Sequence, residues 1–215
     1  CSSFEDKKSE LLVVINDAVK EGHKLWGNRD YSGASNSWMP AAMKGHVDAE
    51  FMLGWYYISG ASGSKQPVKA LKWFRSAAEK NYSSAQHELG KMYTYSEGVN
   101  QDLEKGANLQ MLSAKQGYAR AYAELAYLHE MGYGVPKDLP ESIRYLKLAA
   151  DKNLTRAMIE LAELYLNGQG VEQDFNEAVR YLTLAADKNN VRAMNKLAEL
   201  YLNGQGVEQD FNEAM

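Results

Sequence analysis

The stretch LAELYLNGQGVEQDFNEA stands at Leu161–Ala178 and again, without one difference, at Leu197–Ala214. The copies begin 36 residues apart, and that spacing is a period of the whole chain. Alanines fall at Ala49, Ala85, Ala121, Ala157 and Ala193, each 36 residues after the last. Leu53-Gly54, Leu89-Gly90, Leu125-Ala126, Leu161-Ala162 and Leu197-Ala198 follow four residues on. Tyr57, Tyr93, Tyr165 and Tyr201 come four later, with His129 in the third repeat. Small or apolar residues at offsets 0, 4, 5 and 8 make one face of a helix about three turns long, helix A.

A turn comes next, clearest as Gly132-Tyr-Gly134-Val135, Gly168-Gln-Gly170-Val171 and Gly204-Gln-Gly206-Val207. Glycine just past a helix end takes the left-handed conformation that satisfies the last carbonyls. Asp102, Asp138, Asp174 and Asp210 then stand where a second helix needs its N-cap, and Glu141, Glu177 and Glu213 sit three residues on, as in a capping box. The first repeat uses Pro67, which suits a first helical turn. Helix B carries Ala70, Trp73-Phe74 and Ala77-Ala78, or Ala178, Tyr181-Leu182 and Ala185-Ala186, small residues for close approach and an aromatic to fill the gap. Each repeat ends at Asn81, Gly117, Asn153 or Asn189, a left-handed stop. A phosphate-cradling loop would join a strand to a helix and supply a Lys, whereas this turn joins two helices and is followed by Glu172 and Asp174. It is the joint of a scaffold.

The pattern A-x3-L-[GA]-x2-Y-x2-G-x-G-V-x2-D-x3-A-x2-[WY]-x3-A-A resembles the Sel1-like repeat, a relative of the tetratricopeptide repeat, over Ala49–Met215. The resemblance implies an all-α fold, a right-handed α-α superhelix (solenoid) of about five to six helix-turn-helix repeats of 36 residues. Its boundaries fall at a tether over 1–10, a degenerate first repeat over 11–48, full repeats over 49–84, 85–120, 121–156 and 157–192, and a truncated one over 193–215. The first repeat is marked by Ala34, Trp38, Ala41, Ala42 and Gly45, and its Gly27-to-Tyr31 joint looks more like a tetratricopeptide turn. The last stops at Met215, in mid helix B, and reads as part of a longer array or as one lacking its tail.

Composition narrows the function classes. Charged residues make up 24% of the chain with a net charge of −4 and no long single-sign runs, so nucleic acid is not an expected partner. The longest aliphatic run, Leu11–Ile15, is about a quarter of a membrane-spanning helix. The only cysteine is Cys1. His23, His46, His87 and His129 have no i, i+4 partner and no Cys nearby, so no metal site and no cofactor are expected, and His129 reads as a core residue in the place of Tyr. No G-x-S-x-G elbow occurs, and the carboxylates recur with the repeat as caps and solvated faces. No catalytic residue is named and the chain reads as a non-enzyme.

Cys1, followed by Ser2-Ser3 and the polar stretch Glu5–Ser9, resembles the start of a mature bacterial lipoprotein, in which the cysteine carries the lipid. That likeness implies the periplasm or the outer membrane, with membrane contact only through the anchor. If the start is only a matter of numbering, the location is cytoplasmic.

What remains is surface. In tetratricopeptide-type arrays helix A lines the concave side, and its outward positions are offsets 2, 6, 9 and 10 from each alanine. These select Phe51, Trp55, His87, Lys91, Tyr95, Tyr127, Glu130, Ile159, Glu163 and Glu199 as candidate partner-binding residues, aromatic in the first three repeats and acidic in the last two. The opposing reading is that Phe51 and Trp55 pack between adjacent helices. The family resemblance implies a protein partner: a toxin effector bound by a periplasmic immunity lipoprotein that neutralises a secreted phospholipase, a host factor bound by an adaptor or virulence-associated protein, or a component of an envelope complex. A cell-wall or β-lactam hydrolase is the enzymatic rival. The cysteine-stapled branch of the family linked to penicillin binding does not apply, since its regular cysteines are missing here.

Overall fold

All five alanines of the period are fully buried in the computed structural model, which describes residues 4–205. Around them the chain forms α1 (Phe4–Gly27), α2 (Tyr31–Met43), α3 (Val47–Ile58), α4 (Pro67–Glu79), α5 (Ser83–Tyr95) and α6 (Leu103–Lys115). Then come α7 (Ala119–Met131), α8 (Leu139–Asp151), α9 (Thr155–Asn167), α10 (Phe175–Ala186) and α11 (Val191–Asn203), with no strand among the described residues. From α3 onward the odd-numbered helices are helices A and the even-numbered ones helices B.

The chain divides into two compact units, Cys1–Ser113 and Ala114–Met215. In the first, α1 packs on α2, α2 on α3, α3 on α4 and α4 on α5. In the second the order runs α7, α8, α9, α10, α11 in the same neighbour-to-neighbour way. Packing chiefly between near neighbours in sequence is the energetic signature of a repeat protein.

Turn chemistry follows the sequence closely. Gly132, Gly168 and Gly204 cap α7, α9 and α11 in the left-handed conformation, and Ser96 takes the same conformation (φ 58°) where the second repeat has no glycine. Asn81, Gly117, Asn153 and Asn189 all have positive φ, which turns each helix B back into the next helix A. Asp102 accepts from Lys105 N at 2.9 Å, Asp138 from Glu141 N at 3.0 Å, and Asp174 from Asn176 N and Glu177 N at 2.9 and 3.0 Å. The capping boxes are altered. The carboxylate of Glu141 is gripped by Arg144 (2.8 and 2.5 Å) and that of Glu177 by Arg180 (3.0 and 2.8 Å). Each guanidinium also lies over the next ring, Tyr145 at 4.4 Å and Tyr181 at 4.2 Å, so the glutamate serves a cation–aromatic stack.

Volume is exchanged within each helix pair. A Cβ on Gly54 would come within 2.4 Å of the Phe74 ring, and Gly54 faces Phe74 where later repeats put Ala126 with Leu146 and Ala162 with Leu182. The second repeat departs further: Gly90 and Gly106 bring α5 and α6 together, and Gln110 occupies the place of Phe74. Gln110 is fully buried and bonds His87 twice, receiving Nδ1 on its Oε1 at 2.8 Å and donating to the His87 carbonyl at 2.9 Å.

The first repeat differs from its expected outline. The helix begins at Phe4, so the stretch read as a polar tether is helical from there on. Arg29 takes a left-handed conformation in the joint and Asp30 caps α2 through Gly33 N at 2.8 Å. Trp38 is fully buried and donates from Nε1 to Val19 O at 3.3 Å, and Gly22 leaves room for its ring. Cys1 and residues 206–215, among them the expected cap residues Asp210 and Glu213, lie outside the described residues.

Candidate functional site

Helix geometry sorts the candidate residues. At about 100° per residue, the buried offsets 0, 4, 5 and 8 fill an arc of about 140°. Offset 2 falls about 60° beyond the edge of that arc, whereas offsets 6 and 10 point furthest from it. Most of the candidate side chains follow this ordering; Glu130 at offset 9, about 40° beyond the arc, is exposed where Ile58 and Thr94 are buried.

Three candidates sit at offset 2 in the first, second and fourth repeats, and none presents a free face. Phe51 is half-buried, its ring 5.8 Å from Phe74 and 5.2 Å from Tyr82. His87 is 4% exposed, turned onto Gln110, and Ile159 is 5% exposed within the core of the second unit. The expectation that His87 and Ile159 line a groove is therefore corrected: the shoulders of α5 and α9 are covered by the elements packed beside them.

At offset 6 the side chains are partly accessible. Trp55 is half-buried against the core of the first unit, and Lys91 pairs with Glu88 at 3.2 Å. Tyr127 is half-buried and meets Tyr133 edge to face at 6.0 Å. Glu163 is held by Arg192 at 2.5 Å and Lys196 at 3.2 Å, while Glu199 is exposed. Because Glu163 is met by two cations and Glu160 by Arg156 at 2.7 Å, the expected acidic end is largely neutralised. Tyr95, at offset 10, is 47% exposed, and Glu130 at offset 9 is exposed beside Met131.

Sequence reasoning missed three contributors to this face. Tyr133 lies in the turn after α7, 38% exposed. Ser142 and Arg156 line a cleft of about 60 Å³ with Ala126, Tyr127, Glu130, Leu146 and Glu160. Ser142 could have been found, because it interrupts a position held elsewhere by Ala70, Gly106 and Ala178.

Charge elsewhere serves packing. Lys105 lies 4.3 Å over the Tyr93 ring and Arg75 reaches its hydroxyl at 3.3 Å; Lys105 first, then Arg75, holds the phenol below its ordinary pKa against the opposing effect of burial. Arg144 holds the Glu141 carboxyl below its ordinary range and is itself raised by that carboxylate. His129, expected in the core, is only half-buried; it stacks on Tyr145 at 5.5 Å and its Nδ1 lies 3.2 Å from Pro136 O. His23 Nε2 meets Asp48 at 2.7 Å, and Asp48 also accepts from the Tyr82 hydroxyl at 3.1 Å, so the imidazole faces a carboxylate and, beyond it, a phenol. Among the described residues no group of three or more His, Cys, Asp or Glu could hold a metal ion, and no helix is long and apolar enough to cross a membrane.

Helical hairpins repeated every 36 residues, packed neighbour on neighbour and carrying partly exposed aromatics on helix A, define an α-helical repeat protein of the interaction-scaffold class. The Sel1 repeat family model matches residues 47–82, 83–118, 119–154, 155–190 and 191–215, each match beginning where a helix A begins, and the chain belongs to that family. Sel1 repeat proteins are protein-interaction scaffolds. A Sel1 repeat protein from Oxalobacter formigenes is similar at 31% identity, with a TM-score of 0.83, over 91% of this chain and 80% of that one. A protective antigen of uropathogenic Escherichia coli with the same type of fold is 26% identical over 100% of this chain and 47% of its own, with a TM-score of 0.81. An immunity protein from Pseudomonas aeruginosa shares the fold at 20% identity and a TM-score of 0.62, over 93% of this chain and 74% of that one. Among curated proteins no relative matches.

Proposed function

We propose that this chain is a non-enzymatic scaffold that binds a protein partner through the outward residues of its helices A. The observation that carries the reading is the set of accessible aromatic and thioether side chains on and just after helix A, exposed Tyr95 in the first unit and half-buried Tyr127 with exposed Met131 and Tyr133 in the second. None is needed by the repeat core, whose positions are filled by the period. Large, stiff side chains of this kind anchor protein interfaces at low entropic cost. A hydrolase is the weaker reading, since His23, whose Nε2 meets the Asp48 carboxylate, has no hydroxyl or thiol of Ser, Thr or Cys among its described hydrogen-bond partners.

The finer reading is of an envelope lipoprotein, anchored through Cys1, that acts as an immunity protein against a secreted phospholipase effector. The fold serves an immunity protein in Pseudomonas aeruginosa, which supports the idea at the level of architecture. A surface-exposed adaptor that meets a host factor is the second reading, favoured by the 26% identity to a protective antigen. Crosslinking in intact cells with a photoreactive residue in place of Tyr127, followed by identification of the adduct, separates them. A phospholipase adduct supports immunity and a host-protein adduct supports the adaptor. Labelling with a fatty-acid analogue that is lost in Cys1→Ser tests the anchor.

A further inference from the structure

We propose that the cleft between α7, α8 and α9 is a receptor for one primary ammonium group, the tip of a lysine side chain on the partner. The proposal rests on the protein-binding reading above and names the chemistry of one contact within it. Two residues that line the cleft break the repeat in the polar direction. Ser142 stands where the other repeats have Ala70, Gly106 and Ala178, and Glu130 stands where they have Ile58, Thr94, Leu166 and Leu202. A 36-residue repeat has no packing reason to place both changes in one repeat, and both face the same small space.

Ser142 is 3% exposed, and its hydroxyl makes no hydrogen bond to any described residue. The hydroxyl oxygen still reaches the cleft, so a ligand seated there can bond to it. Leu146 and Ala126 complete an apolar floor, Tyr127 offers a ring, and Glu130 and Glu160 offer carboxylates. An ammonium has three donors, and two carboxylates with one hydroxyl oxygen match that number. The Tyr127 ring adds cation–π attraction. An ammonium is a compact point charge, which suits a small cleft of about 60 Å³.

The cleft already has one cation at its rim. Arg156 holds Glu160 at 2.7 Å, but its side chain is 74% exposed, so that pair is screened and readily exchanged. With Glu130, Glu160 and Arg156 the rim carries one net negative charge, which an incoming lysine neutralises.

The test is an NMR titration of the isotopically labelled 215-residue chain with the capped peptide acetyl-Ala-Ala-Lys-Ala-Ala-amide and its norleucine and arginine counterparts. The lysine peptide is expected to shift the resonances of Tyr127, Glu130 and Leu146 and to bind at least tenfold more tightly than the norleucine peptide, with the arginine peptide between them. Ser142→Ala and Glu130→Gln should each weaken it severalfold, and Arg156→Ala should strengthen it. Ser142→Ala is expected to fold normally, because alanine stands at this position in the first and fourth repeats, as Ala70 and Ala178. Equal binding of norleucine, or wild-type affinity in the Ser142→Ala/Glu130→Gln variant, overturns the ammonium receptor. That result leaves the wider interface open to its own test, since capture of a partner through Tyr95 and Tyr127 does not require this cleft.

Discussion

Gly54→Ala tests the volume exchange that sets helix spacing in the first repeat. The added methyl would lie 2.4 Å from Cε1 and 2.5 Å from Cδ1 of Phe74, a ring with no exposed surface to retreat into. Replacing a helical glycine by alanine stabilises by about 1 kcal/mol through backbone propensity. Forcing a methyl against a trapped ring costs about 3 kcal/mol, the upper part of the range for overpacking. The net expectation is a loss of about 2 kcal/mol, or roughly 4–8 °C in Tm for a chain of this size. Phe74→Leu alone should cost about 1–2 kcal/mol, well short of the roughly 3–5 for a full truncation. The double variant recreates the Ala126/Leu146 pair, removes the collision and keeps the propensity gain, so it should lie within about 1 kcal/mol of wild type. Urea unfolding followed by circular dichroism gives all four corners of the cycle. The reasoning requires a favourable coupling of at least about 1 kcal/mol; additivity within about 0.5 kcal/mol would refute it.

Asp174→Ala removes an acceptor for two amide protons at the start of α10 and should destabilise by about 1 kcal/mol in the same assay, with Asp174→Asn nearly neutral. Ser142→Ala should leave stability within about 0.5 kcal/mol of wild type, since the hydroxyl bonds no described residue and reaches the cleft; a loss above about 1 kcal/mol would mean the hydroxyl is bonded in the fold. Glu141 has its folded-state pKa lowered by Arg144, so its contribution is present above the ordinary glutamate pKa and is lost as pH falls through the lower folded value. Urea midpoints for Glu141→Gln and wild type should therefore differ slightly at pH 7 and converge toward pH 3, and a gap that widened on acidification would contradict this sign.

The fold could be read from the sequence because it is periodic. The alanines at every thirty-sixth position, the aspartate caps and the left-handed stops each act locally, and the chain states each several times over. What could not be read was local departure from the repeat. The helix B of the second repeat has Gly106 and Gln110 where its neighbours have Ala70 or Ser142 and a large apolar residue, Phe74 or Leu146, and only the structure reveals that Gln110 turns to His87. The candidate face was half legible. Offsets 6 and 10 point outward as helical angles require, but offset 2 lies close enough to the buried arc for the adjacent helix to cover His87 and Ile159. The acidity of the later repeats was misjudged because a carboxylate count does not show that Arg192 and Lys196 converge on Glu163.

The most direct test of the central claim is the affinity of the purified chain for its crosslinked partner, measured by calorimetry with two surface variants. Tyr95→Ala/Tyr127→Ala alters helices A, and Leu112→Ala/Leu184→Ala alters exposed positions of helices B in α6 and α10. A helix-A interface predicts one-to-one binding that falls at least a hundredfold in the first variant and stays within about twofold of wild type in the second, since two anchor residues at about 2 kcal/mol each exceed that loss. Full-strength binding by the first variant, or loss in the second alone, would contradict it.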